Sequence, residues 1–310
     1  MALSMTMLAV LVVLSLGIGI IDLRSDPDAL GLLMISRIPR TAAALIAGAS
    51  LAIAGAILQM LVRNRFVEPM TAGTGQGAAL GILVAILIFP QASILVKMII
   101  ASGTALVTSL GFLAMVQRLP TTRPLLVPLV GLIYGGLLGA VVTFIAYQAD
   151  LLQYIDVWMN GELSGVLQGR YELLWIAAAL ALGSYFIADQ FAIAGMGRTM
   201  SLNLGLNYRQ VMTLGLCAIA VISALTVVTV GMIPFVGLVV PNIVSRMRGD
   251  NLRRTLPLTA LGGAGAVLLC DVLGRVLRYP FEIPVGTVFG VIGAGVFLVL
   301  LYARPADVRP

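Results

Sequence analysis

The ionisable residues that lie within apolar sequence are the first candidates for chemistry. Asp271 is well inside an apolar run, and Arg275 follows it at i+4, where two side chains can pair on one helix face. Asp22, Asp150, Asp189 and Glu282 all fall at the ends of apolar runs. A proton or ion relay needs ionisable groups deep in the membrane. The pattern therefore favours a self-neutralising pair over a proton-coupled carrier.

Residues for metal binding or covalent catalysis are sparse. The chain has no histidine, and its two cysteines, Cys217 and Cys270, lie in apolar runs, where cysteine is usually a small packing residue. Metal sites need ligand clusters, and enzymes need a nucleophile or an acid–base pair. The sequence predicts no metal centre, no cofactor and no catalytic site, and it gives no basis for a disulfide.

A glycine-rich stretch, Gly73-Thr-Gly75-Gln-Gly77-Ala-Ala-Leu-Gly81, resembles a nucleotide loop only in composition. It opens an apolar run and does not follow a soluble strand, so its small residues favour helix packing. The pattern Gly-x-x-x-x-Gly-Lys-Ser/Thr is missing from the sequence. Any dependence on ATP must therefore come from another subunit.

The elements that would position these residues are membrane helices. Hydrophobic residues make up 60% of the 310 residues, charged residues 10%, and the mean hydropathy is +1.07. Soluble domains carry about a quarter charged residues. Backbone groups in lipid must be satisfied within the protein, which helices achieve one segment at a time. We expect an all-α polytopic protein forming a single membrane domain over residues 1–310.

Ten spans are expected, because about twenty apolar residues in a helix cross the bilayer core. The eighth is short and contains Pro234 and Pro241. The predicted spans are 5–21, 40–62, 70–88, 94–116, 125–147, 173–188, 209–230, 232–246, 255–278 and 284–303.

The distribution of basic residues predicts that both termini lie in the cytoplasm. With that orientation, twelve arginines fall inside and seven basic residues fall outside, in agreement with the positive-inside rule. The net charge of +6 comes from arginines scattered at span ends and a single lysine, which indicates topology and not nucleic-acid binding. Residues 189–208 are the longest polar segment facing the cytoplasm, and residues 150–161 predict a short helix in the outer interface.

Two sets of residues allow two interpretations each. Arg37, Arg40 and Arg275 lie near the outer mouth, where they could be ordinary snorkelling arginines or could bind carboxylates of a docking protein. Glycines on the fifth and tenth spans favour helix packing, but could also line a solute pathway. These glycines are Gly131, Gly135, Gly136, Gly139, Gly286, Gly290 and Gly293.

Motifs along the chain resemble the FecCD/BtuC family, the permease subunits of bacterial ABC importers for iron–siderophores, haem and cobalamin. Residues 63–74 are similar to the FatD-type subgroup, which imports catecholate and related siderophores. The motifs are Arg37-Ile-Pro-Arg40, Gly48-Ala49, Gly55, Gln59, Arg63-Asn64, Glu68-Pro69, the stretch Gly231-Met-Ile-Pro-Phe-Val-Gly-Leu-Val-Val-Pro241, Arg246, Gly249-Asp250, Asp271-Val-Leu-Gly-Arg275, Glu282-Ile-Pro-Val-Gly286 and Ile292-Gly293.

The resemblance implies a BtuC-like type II permease of ten helices that dimerises around a central pathway bordered by the fifth and tenth spans. It assigns Arg37, Arg40 and Arg275 to docking of a substrate-binding protein. It places Gly197, Ser201, Leu204 and Gly205 in short helices that couple to the ATPase subunit. It also makes Gly135, Gly139, Gly286 and Gly290 candidates for the pathway.

Two residues depart from the family pattern. Arg198 stands in the coupling loop where an acidic residue is usual, which puts one ATPase contact in question. Asn242 follows Pro241 where the family often has histidine, so this chain lacks a titratable ring there.

The function expected from the resemblance is import of an iron(III)–siderophore across the bacterial inner membrane. Its partners would be a cytoplasmic ATPase, a periplasmic or lipoprotein binding protein, and a second permease, with a related chain favoured over a second copy. The alternatives are cobalamin or haem as substrate, a secondary carrier, a membrane enzyme and a structural scaffold.

Overall fold

The computed structural model describes residues 2–18, 29–119 and 126–302. Within these ranges the chain forms fourteen α-helices, and a π-helical turn at Leu33–Arg37 joins the second helix to the third. The helices are α1 (Ala2–Gly17), α2 (Ala29–Leu32), α3 (Ile38–Val62), α4 (Thr74–Ile88), α5 (Ile94–Val116), α6 (Leu126–Gln148), α7 (Leu152–Met159), α8 (Leu173–Phe186), α9 (Ala188–Met196), α10 (Arg198–Asn203), α11 (Tyr208–Val230), α12 (Val236–Arg248), α13 (Leu252–Val276) and α14 (Val285–Tyr302).

Within the described residues, each of the ten predicted spans overlaps one helix, and most ends agree within two or three residues. Residues 19–21, 125 and 303 of the predicted spans lie outside the described residues. Larger differences have local causes. The third span begins at Thr74 and not at residue 70, because Pro69–Ala72 form a 3-10 turn that ends at Gly73 with φ +75°. The eighth begins at Val236, after Phe235 with φ +68°. A short helix is found within residues 150–161, as expected, and it is α7.

Helix length separates the ten spans into two groups. Among the described residues, six helices are long and apolar enough to cross a bilayer, or seven if α8 and α9 form one span bent by 66°. The apolar helices α1 and α4 are shorter, and α12 has only 13 residues and Pro241 within it. The second span is longer than predicted, since helical structure continues from Leu30 to Val62. The chain is a multi-pass helical membrane protein.

Helix α3 lies at the centre, packed against α8, α11, α12 and α13. Glycines allow its closest approaches. A Cβ atom on Gly263 of α13 would meet the backbone oxygen of Gly48 and would lie 2.6 Å from the Cβ of Ala52. On the α12 side, a Cβ on Gly55 would meet the backbone of Gly237. Small residues let these helix backbones lie in contact, as expected from the composition of α3.

Two connections fold back against each other beside α3. The chain from residue 63 to residue 73 links α3 to α4, and residues 231–235 link α11 to α12. The backbone N–H of Phe235 donates to Oε1 of Glu68 across 3.1 Å. Gln59 of α3 donates to the backbone oxygen of Gly237 at 2.9 Å. These side chains satisfy backbone groups at a helix break, which buried irregular backbone requires.

Helices α6 and α14 lie at the periphery. In the most apolar 18-residue stretch of each helix, 22% of the residues of α6 and 28% of those of α14 are buried inside the protein. The corresponding share is 72% both for the helical segment that contains α3 and for α11. Their exposed faces are apolar and include Leu132, Leu137, Phe144, Val291 and Val299. Both helices therefore present large apolar surfaces to lipid or to another chain.

Replacing Gly263 with alanine should destabilise the protein, because the new methyl group collides with α3. We expect a loss of about 1–3 kcal/mol, the usual cost of overpacking a dense core. Gly265→Ala in the same helix is the matched control, since its Cβ would find its nearest neighbour, Leu8, at 3.8 Å. Thermal unfolding in detergent measures both. Equal midpoints for the two variants would contradict the close α3–α13 contact.

Candidate functional site

A group of five charged side chains, here called the arginine cluster, lies at the N-terminal end of α3. Its members are Arg37, Arg40, Asp271, Arg275 and Glu282. At its centre Asp271, which is 2% exposed, uses both carboxylate oxygens. Oδ1 accepts from Arg40 Nε at 3.1 Å and Nη2 at 2.8 Å, and Oδ2 accepts from Arg275 Nη2 at 2.7 Å. One buried carboxylate thus joins α3 to α13.

The pairing of Asp271 with Arg275 at i+4, expected from their spacing, is confirmed. Arg40, 231 residues from Asp271 in the sequence, is the partner that local spacing could not indicate. Arg40 also pairs with Glu282, with Nη2 2.9 Å from Oε2. Glu282 lies just before α14, so Arg40 connects three parts of the chain.

The end of α1 is held by the other two guanidinium groups. Arg275 Nη1 donates to the backbone oxygens of Ser15 and Ile18 at 2.9 and 2.8 Å, and Arg37 Nη1 donates to that of Leu16 at 2.8 Å. The last carbonyl groups of a helix lack partners within it and carry partial negative charge. Arg37 and Arg275 supply both the donors and the positive charge that this end needs.

These contacts bear on the expected docking role of Arg37, Arg40 and Arg275. Arg37 and Arg275 are each 6% exposed and donate to atoms of the same chain. Arg40 is the most accessible of the three, at 14%. The structure brings the three arginines together at one end of the bundle and gives each a partner within the chain.

The predicted coupling segment forms two short helices, and we name residues 188–205 the short-helix hairpin. Helices α9 and α10 meet at Gly197, whose φ of +110° is strained for any other residue. Ser201 is fully buried, and its Oγ donates to the backbone oxygen of Gly197 at 2.7 Å and to that of Ile193 at 3.1 Å. Gly205 also has a positive φ, +75°. Gly197, Ser201 and Gly205 therefore shape the hairpin.

The outer surface of the short-helix hairpin is apolar. Its large exposed side chains are Met196, Met200, Leu202 and Leu204, each 46–55% exposed. Arg198 is also exposed. An apolar patch at the end of a bundle, next to a basic side chain, is suited to contact with another protein.

The four candidate pathway glycines have different surroundings. Gly135 and Gly286 are buried. A Cβ on Gly286 would lie 3.0 Å from the carbonyl carbon of Asn160, and its N–H donates to the backbone oxygen of Gly161 at 3.0 Å. Gly286 therefore packs against the turn after α7 and the connection before α12, where a side chain would not fit. Gly139 and Gly290 are half-buried, and a Cβ on either would make only an ordinary contact at 3.7 Å.

Glu68 is a buried acid whose role the sequence did not indicate. It lies in the connection between α3 and α4, is 1% exposed and accepts the N–H of Phe235. Burial raises the pKa of Glu68 from its usual 4.5 to about 7, although the hydrogen bond from Phe235 opposes this shift. The signal that could have found it is its position beside Pro69 in a short polar link between two apolar runs.

Metal ligation has no candidate group in the described part of the chain: no three His, Cys, Asp or Glu side chains there could hold one ion. Asp189, Asp250, Asp271 and Glu282 instead form ion pairs with arginines. The arrangement provides a rigid membrane bundle, a charged cluster at one end and an apolar hairpin at the other. These features define a polytopic membrane protein of the transport-permease class.

The chain belongs to the FecCD transport family, whose profile matches residues 2–303. It is 45% identical to the petrobactin import system permease protein of Bacillus subtilis (strain 168), over 97% of this chain and 97% of that protein. It is 42% identical to the ferric-anguibactin transport system permease protein FatD of Vibrio anguillarum, over 87% of this chain and 86% of that protein. The family and subgroup expected from the motifs are confirmed.

The fold agrees with a solved structure. A chain of a metal-chelate type ABC transporter in an inward-facing conformation superposes with a TM-score of 0.84 at 26% identity, covering 96% of this chain and 97% of that one. The expected all-helical permease architecture is therefore confirmed.

Removing the charge of Asp271 should be costly, because two guanidinium groups would lose a buried partner. We expect Asp271→Asn to lower the free energy of unfolding by about 3–5 kcal/mol. Asp250→Asn is the matched control, since the Asp250 pair with Arg65 is more than half exposed and is expected to contribute less than about 1 kcal/mol. Denaturation in detergent compares them. A similar loss in both variants would show that the arginine cluster is not a structural centre.

Protonation of Glu68 should make stability depend on pH. A carboxyl group with a raised pKa in the folded protein stabilises it fully below about pH 4.5, and this contribution is lost as the pH rises through about 7. Glu68→Gln should flatten the fall in unfolding midpoint between about pH 5 and pH 8. Exposed Glu172, which accepts the N–H of Gly169, provides the control Glu172→Gln. An unchanged slope in Glu68→Gln would refute the assignment.

Proposed function

We propose that this chain is the membrane-spanning permease of a bacterial ABC importer that moves iron(III)–siderophore complexes into the cytoplasm. The observation that carries the proposal is the likeness to petrobactin and ferric-anguibactin permeases along nearly the whole chain. The similarity extends beyond a shared fold, because 45% of the residues are identical over 307 aligned positions of the petrobactin permease. Catecholate-like siderophores are the substrate class we favour.

ATP hydrolysis is assigned to a separate cytoplasmic subunit, because this chain lacks a P-loop. The short-helix hairpin is the proposed contact with that subunit. Its exposed Met200 and Leu204 offer apolar anchors, and Gly197, Ser201 and Gly205 give the hairpin one defined shape. A hairpin fixed in this way can transmit movement of the ATPase to the bundle as a rigid unit. No cofactor is proposed for this chain.

The arginine cluster is the proposed docking end for the substrate-binding protein. Arg40 is the accessible member, and carboxylates of the docked protein would compete with Glu282 for its guanidinium group. Arg37 and Arg275 would act indirectly, because their bonds to the end of α1 hold the surface around Arg40. Docking could then alter the contacts among α1, α3 and α13.

A second permease, either another copy or a related chain, is proposed to cover the exposed apolar faces of α6 and α14. We favour a related chain, on the family resemblance.

Half-buried Gly139 and Gly290 are the better pathway candidates, because a bulky solute can pass where side chains are missing.

The proposed location is the inner membrane. Both termini are assigned to the cytoplasm, because that orientation leaves twelve arginines inside.

The test is mild detergent extraction of the tagged chain from its native host, followed by identification of the proteins that co-purify and an ATPase assay. The proposal predicts a P-loop subunit, a second permease and vanadate-sensitive ATP hydrolysis. A chain that purifies alone without ATPase activity, even after crosslinking, would favour a secondary carrier and contradict the proposal.

Changing the apolar surface of the short-helix hairpin should uncouple the ATPase. We expect Met200→Asp to reduce recovered ATPase subunit roughly tenfold or more, because burying one such side chain is worth about 1.5–3 kcal/mol. Met247→Asp is the control, since Met247 is 69% exposed at the end of α12, outside the hairpin. Equal recovery with both variants would exclude the hairpin as the contact.

A further inference from the structure

A large cavity opens at the C-terminal end of α3, opposite the arginine cluster. Its volume is about 670 Å³, and it lies between the ends of α3 and α5 and the beginnings of α6, α10 and α11. Arg198 and Leu202 of the short-helix hairpin line it, but the transport proposal gives the cavity itself no role. Its lining combines apolar side chains of the membrane helices with basic, amide and hydroxyl side chains.

The apolar walls come from Leu61 of α3, Val116 of α5, Val127 of α6 and Leu216 of α11, all of them buried in the bundle. Buried residues on four membrane helices place this wall within the apolar part of the bundle. Tyr208, at the start of α11, also lines the cavity, and tyrosine prefers the boundary between apolar and aqueous layers. A soluble anion would gain nothing from these walls, whereas an acyl chain would.

The basic side chains at the cavity are Arg63, Arg198 and Arg209, which come from three different segments. Arg209 is the second residue of α11, so the positive end of that helix adds to its charge. No carboxylate is among the described residues that line the cavity. Three arginines among the lining residues, with no lining carboxylate in the described part of the chain, make the cavity positively charged.

Neighbouring acids do not neutralise this site. Asp189 pairs with Arg253 and Asp250 with Arg65, and Glu68 is buried against Phe235. In the ranges that the structure describes, Arg63, Arg198 and Arg209 form no salt bridge. Arg198 adds a positive charge to this cavity from the short-helix hairpin.

We propose that this cavity binds an anionic phospholipid, with the phosphate at the three arginines and an acyl chain along the apolar walls. Basic pockets between membrane helices are suited to anionic headgroups. The lipid would connect α3, the short-helix hairpin and α11 through one phosphate. The proposal does not depend on which substrate is transported, and its outcome is separate from that of the ATPase test.

The experiment uses the full chain with its co-purifying subunits, depleted of lipid in detergent. Native mass spectrometry and thermal unfolding are recorded with phosphatidylglycerol, with phosphatidylcholine of the same acyl chains, and with inorganic phosphate. We expect phosphatidylglycerol alone to be retained and to raise the midpoint. Equal effects of the two lipids would overturn the proposal, and a full effect of inorganic phosphate would assign the site to a free anion.

Arg209→Gln is the test variant, and Arg248→Gln is its control, because Arg248 is exposed at the end of α12 and does not line the cavity. Both remove one positive charge. We expect Arg209→Gln to weaken phosphatidylglycerol binding about fivefold to tenfold, the effect of one basic side chain near a lipid headgroup, and Arg209→Lys to restore most of it.

Unfolding midpoints without lipid show whether each variant folds. Equal lipid binding by Arg209→Gln and Arg248→Gln would overturn the proposal. Loss of the ATPase subunit with unchanged lipid binding in Arg209→Gln would show that a protein carboxylate, and not a lipid, occupies the site.

Discussion

The shared carboxylate of Asp271 is the interaction on which the charged end of the bundle depends. A buried charge is tolerated only when it is paired and hydrogen-bonded, and Asp271 meets this condition with two guanidinium groups. Those guanidinium groups, carried by α3 and α13, in turn bind the end of α1 and Glu282 before α14. The cluster therefore fixes how the first, second, ninth and tenth predicted spans meet. Any partner that engages Arg40 acts on a junction of the fold and not on an isolated surface charge.

Close backbone contact is the second constraint. Gly48 against Gly263 and Gly55 against Gly237 bring α3 within reach of α13 and α12. This contact packs the centre of the bundle tightly, while α6 and α14 stay peripheral. The short-helix hairpin is attached to this centre through α8 and α11, and Arg63, just after α3, lies against Gly197. Tight packing of this kind suits a transporter, because helices can move together as one body only if the contacts between them keep their shape.

Hydropathy and local spacing predicted the helices and the Asp271–Arg275 pair, because both depend on residues close in sequence. Long-range contacts could not be predicted in this way. Arg40 meets Asp271 only because α3 packs on α13, and Glu68 meets Phe235 only because two connections fold back together. The same limit applies to the glycines: sequence treats Gly286 and Gly290 alike, whereas their neighbours give Gly286 a packing role. The motifs that resemble the family predicted the function, which hydropathy and local spacing alone did not indicate.

ATP-driven uptake by the purified assembly in lipid vesicles tests the central claim most directly. The vesicles would receive binding protein loaded with a radioactive iron–catecholate complex, with ATP supplied to the ATPase side and a protonophore present or absent. The account predicts accumulation that requires ATP and is unaffected by the protonophore. Uptake that proceeds without ATP and is abolished by the protonophore would contradict it, and would identify the chain as a secondary carrier.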